Sequence, residues 1–296
     1  MTESIDWSDH VSAGEFIVRN ALLEDAVQSD ITTDALESDR NDLQQTCMVV
    51  SREGEGLIVA GWFLVNLVFD SIALMFRCNP VECVQYVRDG SPASSGESLG
   101  YLKGSAGVLL RGERVALNLL SHLSGIATLT SKYVHAVQGT GVDILDTRKT
   151  TPCLRALEKY AVRVGGGVNH RFDLSELAMI KDNHIAVAGG AGNLHTIIMK
   201  LREKGLPVEV EVDSLDQLKC VLLERPERIL LDNMTPDILR DAVRIASGSG
   251  CYLEASGRIT LKNIREIAET GVDGISSGTL THSAESSDIG FDWEIE

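Results

Sequence analysis

The chain has 296 residues, of which 44% are hydrophobic and 24% charged, and its formal net charge is −16. Such a composition belongs to a soluble globular protein of one large domain or two ordinary ones, and so acidic a chain lacks the basic face that nucleic-acid binding requires. Its six cysteines (Cys47, Cys78, Cys83, Cys153, Cys220 and Cys251) form no CxxC pair, which points to reduced thiols rather than disulfides or a metal–thiolate site.

The N-terminus carries no basic segment followed by an apolar core, so no secretory leader is expected and the protein is expected in the cytoplasm. Residues 1 to about 45 are acidic and read as short helical pieces, with Phe16, Ile17, Leu22 and Leu23 forming a rough stripe. From Thr46 to Leu110 the pattern changes to short β-rich runs (CMVVS, GLIVAG, AGVLLRG), an α+β layer with a turn-rich loop from Gly90 to Gly100. Within it lies the longest apolar run, Gly61 to Met75. Asn66 and Asp70 interrupt it, and it is too short to span a bilayer. Glu113 to Val137 follows as a long helix, with Val115, Leu119, Leu120, Leu123, Ile126 and Leu129 at helical spacing and Gly125 and Thr128 as places for a kink.

After Gly141 the chain becomes regular. Strands are predicted at Val142–Leu145, Leu177–Ile180, Val208–Val212, Arg228–Leu231, Cys251–Ala255 and Gly274–Ser276, with helices between them. Thr235-Pro236 reads as a helix start. Thr260 is expected to cap LKNIREIAET and Gly271 to close it. Repeated strand–helix units imply a parallel sheet with right-handed crossovers, its strands apolar on both faces as in a barrel or doubly wound sheet.

Nearly every strand ends in polar residues: Asp146, Arg148 and Lys149; Lys181 to His184; Glu211 and Asp213; Asp232 and Asn233; Glu254, Ser256 and Gly257; and Ser276 to Thr279. In a (β/α) barrel these ends share one face, where active sites form, and the last loops often hold phosphate. Asp146 to His184 has seven Lys/Arg against five Asp/Glu in an otherwise strongly acidic chain. An anionic small-molecule ligand is the simplest reason for that local cationic excess. Arg148, Lys149, His170, Arg171 and Lys181 would form a cationic floor, with Arg gripping carboxylates and Lys acting as a point charge.

Plainer accounts compete. Solvated charges could pair with Glu158, Asp173 and Glu176, and for Arg155, Lys159 and Arg163, on or next to the helix LRALEKYAV, ordinary helix-surface pairing is the expected role. Gly165-Gly166-Gly167 lacks the dinucleotide-binding spacing and is expected to permit a sharp turn or a close approach. Glu209 and Glu211 share one face of a strand, either salt-bridged or on a divalent cation, and Glu211 with Asp232 could hold Mg²⁺. Asp213 is expected to cap the helix that begins at Ser214. His122, His135 and His195 are expected to be packing or surface residues.

The segments DTRKTTPCLRALEKYAVRVGGGVNHR, IKDNH, RGERVALNLLSHLSGIATLT, VEVEVDSLDQ, ILLDNM, LEASGRITLKNI and GISSGTLTHS, with DITTDA and GLIVAG, resemble the quinolinate phosphoribosyltransferase family (nicotinate-nucleotide pyrophosphorylase, carboxylating) over nearly the full chain. The resemblance implies an N-terminal α/β sandwich domain over 1–125, an incomplete (β/α) barrel over 126–280, and a tail, 281–296, packed back on the first domain. It implies a homodimer with shared active sites, a hexamer also being compatible, and transfer of phosphoribosyl from phosphoribosyl diphosphate to quinolinate with loss of CO2 and Mg²⁺ as cofactor. The quinolinate site would be Arg148, His170, Arg171 and Lys181, with Arg114 from the partner subunit. Lys149, Glu211 and Asp232 would be catalytic. Thr147, Lys149, Glu211, Asp232, Ser256, Gly257, Arg258, Ser277, Gly278 and Thr279 would hold phosphoribosyl diphosphate. Arg258 departs from the glycine or asparagine common in that loop. Glu211 and Asp232 would either bind Mg²⁺ or stabilise the ribosyl cation. A related phosphoribosyltransferase with another acceptor, a non-catalytic sensor of phosphoribosyl diphosphate, and a sugar-phosphate barrel enzyme are the competing classes.

Overall fold

A computed structural model describes residues 8–36, 43–189 and 193–293. The chain separates into two compact units, the first comprising residues 1–131, 151–166 and 283–296 and the second residues 132–150 and 167–282. Parts of the expected N-terminal helical pieces and of the tail lie outside the described residues.

In the first unit, helix α1 (His10–Glu24) starts at Asp9, whose carboxylate accepts the amides of Val11 and Ser12. Its buried face is Ala13, Gly14, Val18 and Leu22, whereas Leu23 of the expected stripe is exposed. A single turn, α2 (Ile31–Asp34), is capped by Asp30. Strand β1 (Gln44–Ser51) holds the CMVVS run, and β2 (Leu57–Ile58) uses two residues of GLIVAG. The apolar run forms α3 (Trp62–Phe76), preceded by Gly61 at φ 102°. Strands β3 (Glu82–Gln85), β4 (Pro92–Ala93) and β5 (Ser98–Ser105) follow, so the expected loop to Gly100 already enters a strand at Ser98.

Helix α4 (Ala106–Ala136) then runs for 31 residues without a break. AGVLLRG is therefore helix rather than strand. Val108 and Leu109 continue the buried stripe of Val115, Ala116, Leu120 and Leu123, and that periodicity prevails over a local β-rich composition. Gly125 produces no break. A Cβ there would lie 2.0 Å from the Glu285 carbonyl, so the glycine admits the returning C-terminal segment. Helix α5 (Arg155–Val164) also packs in this unit, against α1. Beyond Glu285 the chain ends in the last strand, Ile289–Trp293, which pairs antiparallel with β1 as an edge of a four-stranded sheet. Phe69 and Phe291 meet in the core at 6.4 Å between ring centroids.

In the second unit the expected strands form within a residue or two of their predicted ends: β6 (Asp143–Leu145), β7 (Ala178–Ile180), β8 (Val208–Val212), β9 (Arg228–Asp232), β10 (Tyr252–Ser256) and β11 (Gly274–Ser276). All pair in parallel in the order β6-β11-β10-β9-β8-β7, and β6 gains a further parallel bridge from Leu145 to Val168. Sequence neighbours lie beside one another from β7 to β11, which gives the incomplete barrel. The intervening helices are α6 (Asp182–Val187), α7 (Leu194–Glu203), α8 (Leu215–Leu222), α9 (Pro236–Ala246), α10 (Ile264–Ala268) and α11 (Thr279–His282).

Two predicted caps move. Ser214, not Asp213, caps α8 by accepting the Gln217 amide. Helix α10 begins after Asn263, whose side chain accepts from Thr260, so Thr260 lies in the preceding turn. The strands are also not apolar on both faces. Val208, Val210 and Val212 are buried on one face of β8, while Glu209 and Glu211 alternate with them on the other. All six cysteines are free, and burial pushes the thiols of Cys47 and Cys83 up to about 12. No helix among the described residues is long and apolar enough to cross a membrane.

Candidate functional site

A cavity of about 630 Å³ opens at the carboxyl ends of the parallel strands, lined by Thr147, Arg148, Lys149, His170, Arg171, Met179, Lys181, Glu211, Leu230, Asp232, Asn233, Glu254, Ser256, Gly257, Arg258 and Ser276. The period of two along each strand explains the set. Positions 179 and 181, 209 and 211, 228 to 232, and 252 to 256 alternate inward on neighbouring strands, with Glu211 beside Leu230 and Asp232 beside Ser256 in register. The site is built by strand ends and the loops that leave them, the usual place for chemistry in this architecture.

Its cationic wall is held from beneath. Buried Asp146, just past β6, accepts the His170 amide at 2.9 Å and so ties the VNHR segment to the first strand of the sheet. Arg171 donates to the Leu177 carbonyl at 2.9 Å and approaches the Met179 sulfur at 3.6 Å. Burial and the neighbouring Arg148 charge both lower the pKa of Arg171, while Glu209 and Asp173 oppose them. Two guanidiniums crowded together in this way favour an anion between or beside them. Lys181 pairs with Glu211 across adjacent strands. In IKDNH, the His184 ring accepts the Lys181 amide at 3.0 Å, so that histidine fixes the start of α6.

Below this wall lies an ionic layer. Glu209 is fully buried and Glu254 is 1% exposed. The His170 Nε2 is 3.0 Å from Glu209 and 3.3 Å from Glu254. Arg228 donates to Glu254 at 2.8 Å, stands 3.8 Å from Glu209, and lies over the Tyr252 ring at 4.2 Å. Burial alone would raise the Glu254 carboxyl, but hydrogen bonds from His170 and Ser276 and the Arg228 charge bring its pKa below 4.5. Burial likewise disfavours a charged His170 ring, while the two carboxylates favour one and pull its pKa up. The Arg171 amide acts against that rise. It donates to Nδ1 at 2.8 Å, where a second ring proton would face it. His170, Glu209 and Glu254 bring ligand-type atoms within 4.8 Å of one another. Arg228 already supplies counter-charge there, which disfavours a metal ion.

The loop after β10 turns through Gly257 at φ 96° and Arg258 at φ 52°, and a Cβ on Gly257 would meet the Asn233 side chain at 2.3 Å. Arg258 is thus an arginine in a left-handed conformation that glycine or asparagine adopts more readily. Its backbone is braced by Asn263, which donates to its carbonyl at 3.1 Å. Ser277, Gly278 and Thr279 are not among the cavity-lining residues, although Gly278 adjoins one of them. A Cβ on Gly278 would touch the Lys149 side chain at 2.9 Å, and Thr281 donates to the Lys149 carbonyl at 2.7 Å.

The strand ends thus bring together Thr147, Arg148, Lys149, His170, Arg171, Lys181, Glu211, Asp232, Ser256, Gly257 and Arg258 of the predicted residues. Arg114 lies in the first unit, in a small concavity with Glu24, Asp25 and Asn118. His122 pairs with buried Glu158 at 3.0 Å, and His195 with Glu224 at 2.7 Å, and none of the four is among the cavity-lining residues. Gly165 is needed for a close approach, since a Cβ would lie 2.4 Å from the Ala127 carbonyl, and Gly166 turns at φ 90°. Met179, Leu230 and Arg228 were not singled out by sequence. Counting back in twos from Lys181 and Asp232 would have found them.

The sequence profiles for "Quinolinate phosphoribosyl transferase, N-terminal domain" and "C-terminal domain" match residues 30–124 and 126–292. A curated relative from Mycobacterium leprae, named nicotinate-nucleotide pyrophosphorylase [carboxylating], is 44% identical over 93% of this chain and 95% of its own length. One from Bacillus subtilis, bearing the same name qualified as probable, is 38% identical over 93% and 92%. Among solved structures, NadC from Streptococcus pyogenes superposes with a TM-score of 0.84 at 38% identity, covering 93% of this chain and 94% of that one. The nicotinate-nucleotide pyrophosphorylase from Ehrlichia chaffeensis does so with 0.84 at 37%, covering 94% and 97%. With both halves matched and the strand-end cavity formed as its motifs require, the chain belongs to the quinolinate phosphoribosyltransferase family.

Proposed function

We propose that this protein transfers the 5-phosphoribosyl group of phosphoribosyl diphosphate to quinolinate and decarboxylates the adduct, giving nicotinate mononucleotide, diphosphate and CO2 on a route to NAD. The observation that carries this reading is the convergence of Arg148, Lys149, Arg171 and Lys181 with Glu211 and Asp232 around one cavity. Quinolinate brings two carboxylates and the sugar donor a 5-phosphate and a diphosphate, so both substrates require a cationic wall. Arg148, Arg171 and Lys181 take the dicarboxylate, with His170 behind them and Arg114 supplied by a second copy of the chain in a homodimer. Thr147, Lys149, Ser256, Gly257 and Arg258, with Ser277, Gly278 and Thr279, take the phosphoryl groups of the donor.

In the transfer step the pyridine nitrogen attacks the anomeric carbon while the bond to diphosphate breaks and its electron pair leaves with the diphosphate. Such a step depends on positioning and fixed charge rather than on a side-chain nucleophile. Glu211 and Asp232 face the ribosyl position and stabilise positive charge there. Their donor set, two carboxylates at neighbouring strand ends, also fits Mg²⁺, a hard cation that would neutralise diphosphate charge. Decarboxylation leaves an electron pair on the ring carbon beside the pyridinium nitrogen, whose positive charge stabilises it until that carbon is protonated. Lys149 is placed to assist, and a proton completes the product.

The test is incubation of the full chain in the cytoplasm-like presence of Mg²⁺ with quinolinate and phosphoribosyl diphosphate. Nicotinate mononucleotide and CO2 are expected in equal amounts. Diphosphate release without either product, or product from nicotinate but not quinolinate, contradicts the reading.

A further inference from the structure

Barrel interiors are ordinarily filled by branched apolar side chains. Here the layer beneath the cationic wall is Glu209, Glu254, Arg228 and the His170 ring, three of them buried and Arg228 partly so. Buried ion pairs contribute little to stability, because hydrophobic side chains of similar volume do as well or better. Stability therefore does not account for this cluster, but its connections do.

The His170 ring is engaged at both nitrogens. Nδ1 accepts the Arg171 amide at 2.8 Å, which leaves the ring proton on Nε2, 3.0 Å from Glu209 and 3.3 Å from Glu254. Arg228 holds Glu254 in turn at 2.8 Å. From the other side Asp146 holds the His170 backbone at 2.9 Å. The line from Arg228 through the glutamates and the imidazole ends at the main chain of Arg171, whose guanidinium belongs to the cavity wall.

We propose that Glu209, Glu254 and Arg228 are positioning residues of the anion site: acting through the His170 imidazole they fix Arg171, and His170 serves the site from behind rather than by binding the ligand. This rests on the reading of the cavity as a quinolinate site. The charged groups that meet the ring are Glu209 from β8 and Glu254 from β10; Arg228 from β9 meets the two glutamates, and Asp146 after β6 meets the His170 backbone. A neutral ring with its proton on Nε2 satisfies the glutamates and the Arg171 amide together, whereas an imidazolium loses the latter contact. A single tautomer held in this way by partners behind a ligand-binding side chain is a familiar device in other sites.

Two measurements on the full-length protein test the proposal. In Glu254→Gln, KM for quinolinate should rise about tenfold or more while KM for phosphoribosyl diphosphate stays unchanged. An unchanged quinolinate KM, or an equal loss for both substrates, overturns it. Should that variant fail to fold, Arg228→Lys keeps the charge but loses the fork to Glu254, and the same selective rise is expected. The second measurement uses wild-type protein. Nitrogen-15 spectra of the His170 ring, assigned with His170→Asn, should show one proton, on Nε2, at neutral pH, unmoved by saturating quinolinate. A proton on Nδ1, or a ring signal that changes protonation when quinolinate binds, makes His170 a direct ligand and overturns the proposal. Absence of nicotinate mononucleotide formation by wild-type protein removes the functional reading instead, and the ring spectrum of the ligand-free protein still decides the network.

Discussion

In the proposed reading, Arg148 and Arg171 carry the preference for a doubly charged acceptor, and they stand close enough for the charge of one to lower the pKa of the other. Removing one cation from such a pair exposes the ligand carboxylate it would have neutralised. Arg148→Ala and Arg171→Ala should each weaken quinolinate binding by about 2–5 kcal/mol, measured by calorimetry, with far-UV circular dichroism unchanged. Wild-type affinity in both variants would refute the assignment. Glu254 adds a pH dependence. Its carboxyl titrates below its ordinary 4.5 in the folded protein, so the stability it contributes is present above 4.5 and is lost as pH falls through the folded value. Urea unfolding should show Glu254→Gln losing less stability than wild type between neutral pH and the acid side of that range. An identical acid response in the two proteins would show that Glu254 is not held in this way. At this scale the cations of the site were legible in the sequence as a local excess over an acidic background. The partners of the His170 ring were not, because they come from strands some 40 and 80 residues further along the chain.

At the scale of elements, alternation and helical spacing carried most of the information. All six barrel strands form where short β-rich runs alternate with helices, and their polar carboxyl ends meet around the cavity. AGVLLRG misled because a glycine-bounded run rich in Val and Leu is ambiguous when read alone, and only its phase with Val115 and Leu120 reveals the helix. Thr260 misled because Asn263 competes for the capping role and takes the backbone and hydroxyl of Thr260 as its own partners. Inward charge on the strands was half legible: Glu209 and Glu211 were placed on one face, but the apolar expectation for both faces ignored the counter-charge that Arg228 provides. Gly125 makes the clearest element-level prediction. With the Glu285 carbonyl 2.0 Å from where a Cβ would stand, Gly125→Ala should destabilise the protein by about 1–3 kcal/mol, read as a lower denaturant midpoint at unchanged slope. An unchanged midpoint would mean that the C-terminal segment does not pack against α4 in this way.

At the scale of the whole molecule, the predicted site residues fall in both units. The first, with its antiparallel sheet closed by the C-terminal strand, contains Arg114, and the second contains every residue lining the large cavity. The resemblance of motifs along nearly the full chain made this family membership readable from sequence, because the signature residues cluster at strand ends where their order survives without knowledge of the packing. The central claim is that the strand-end cavity recognises a pyridine with two carboxylates. Its most direct test is kcat/KM for quinolinate and for nicotinate, measured side by side with phosphoribosyl diphosphate and Mg²⁺ on the same preparation. The account predicts strong preference for quinolinate, lost in Arg171→Ala. Equal or greater efficiency with nicotinate would contradict it.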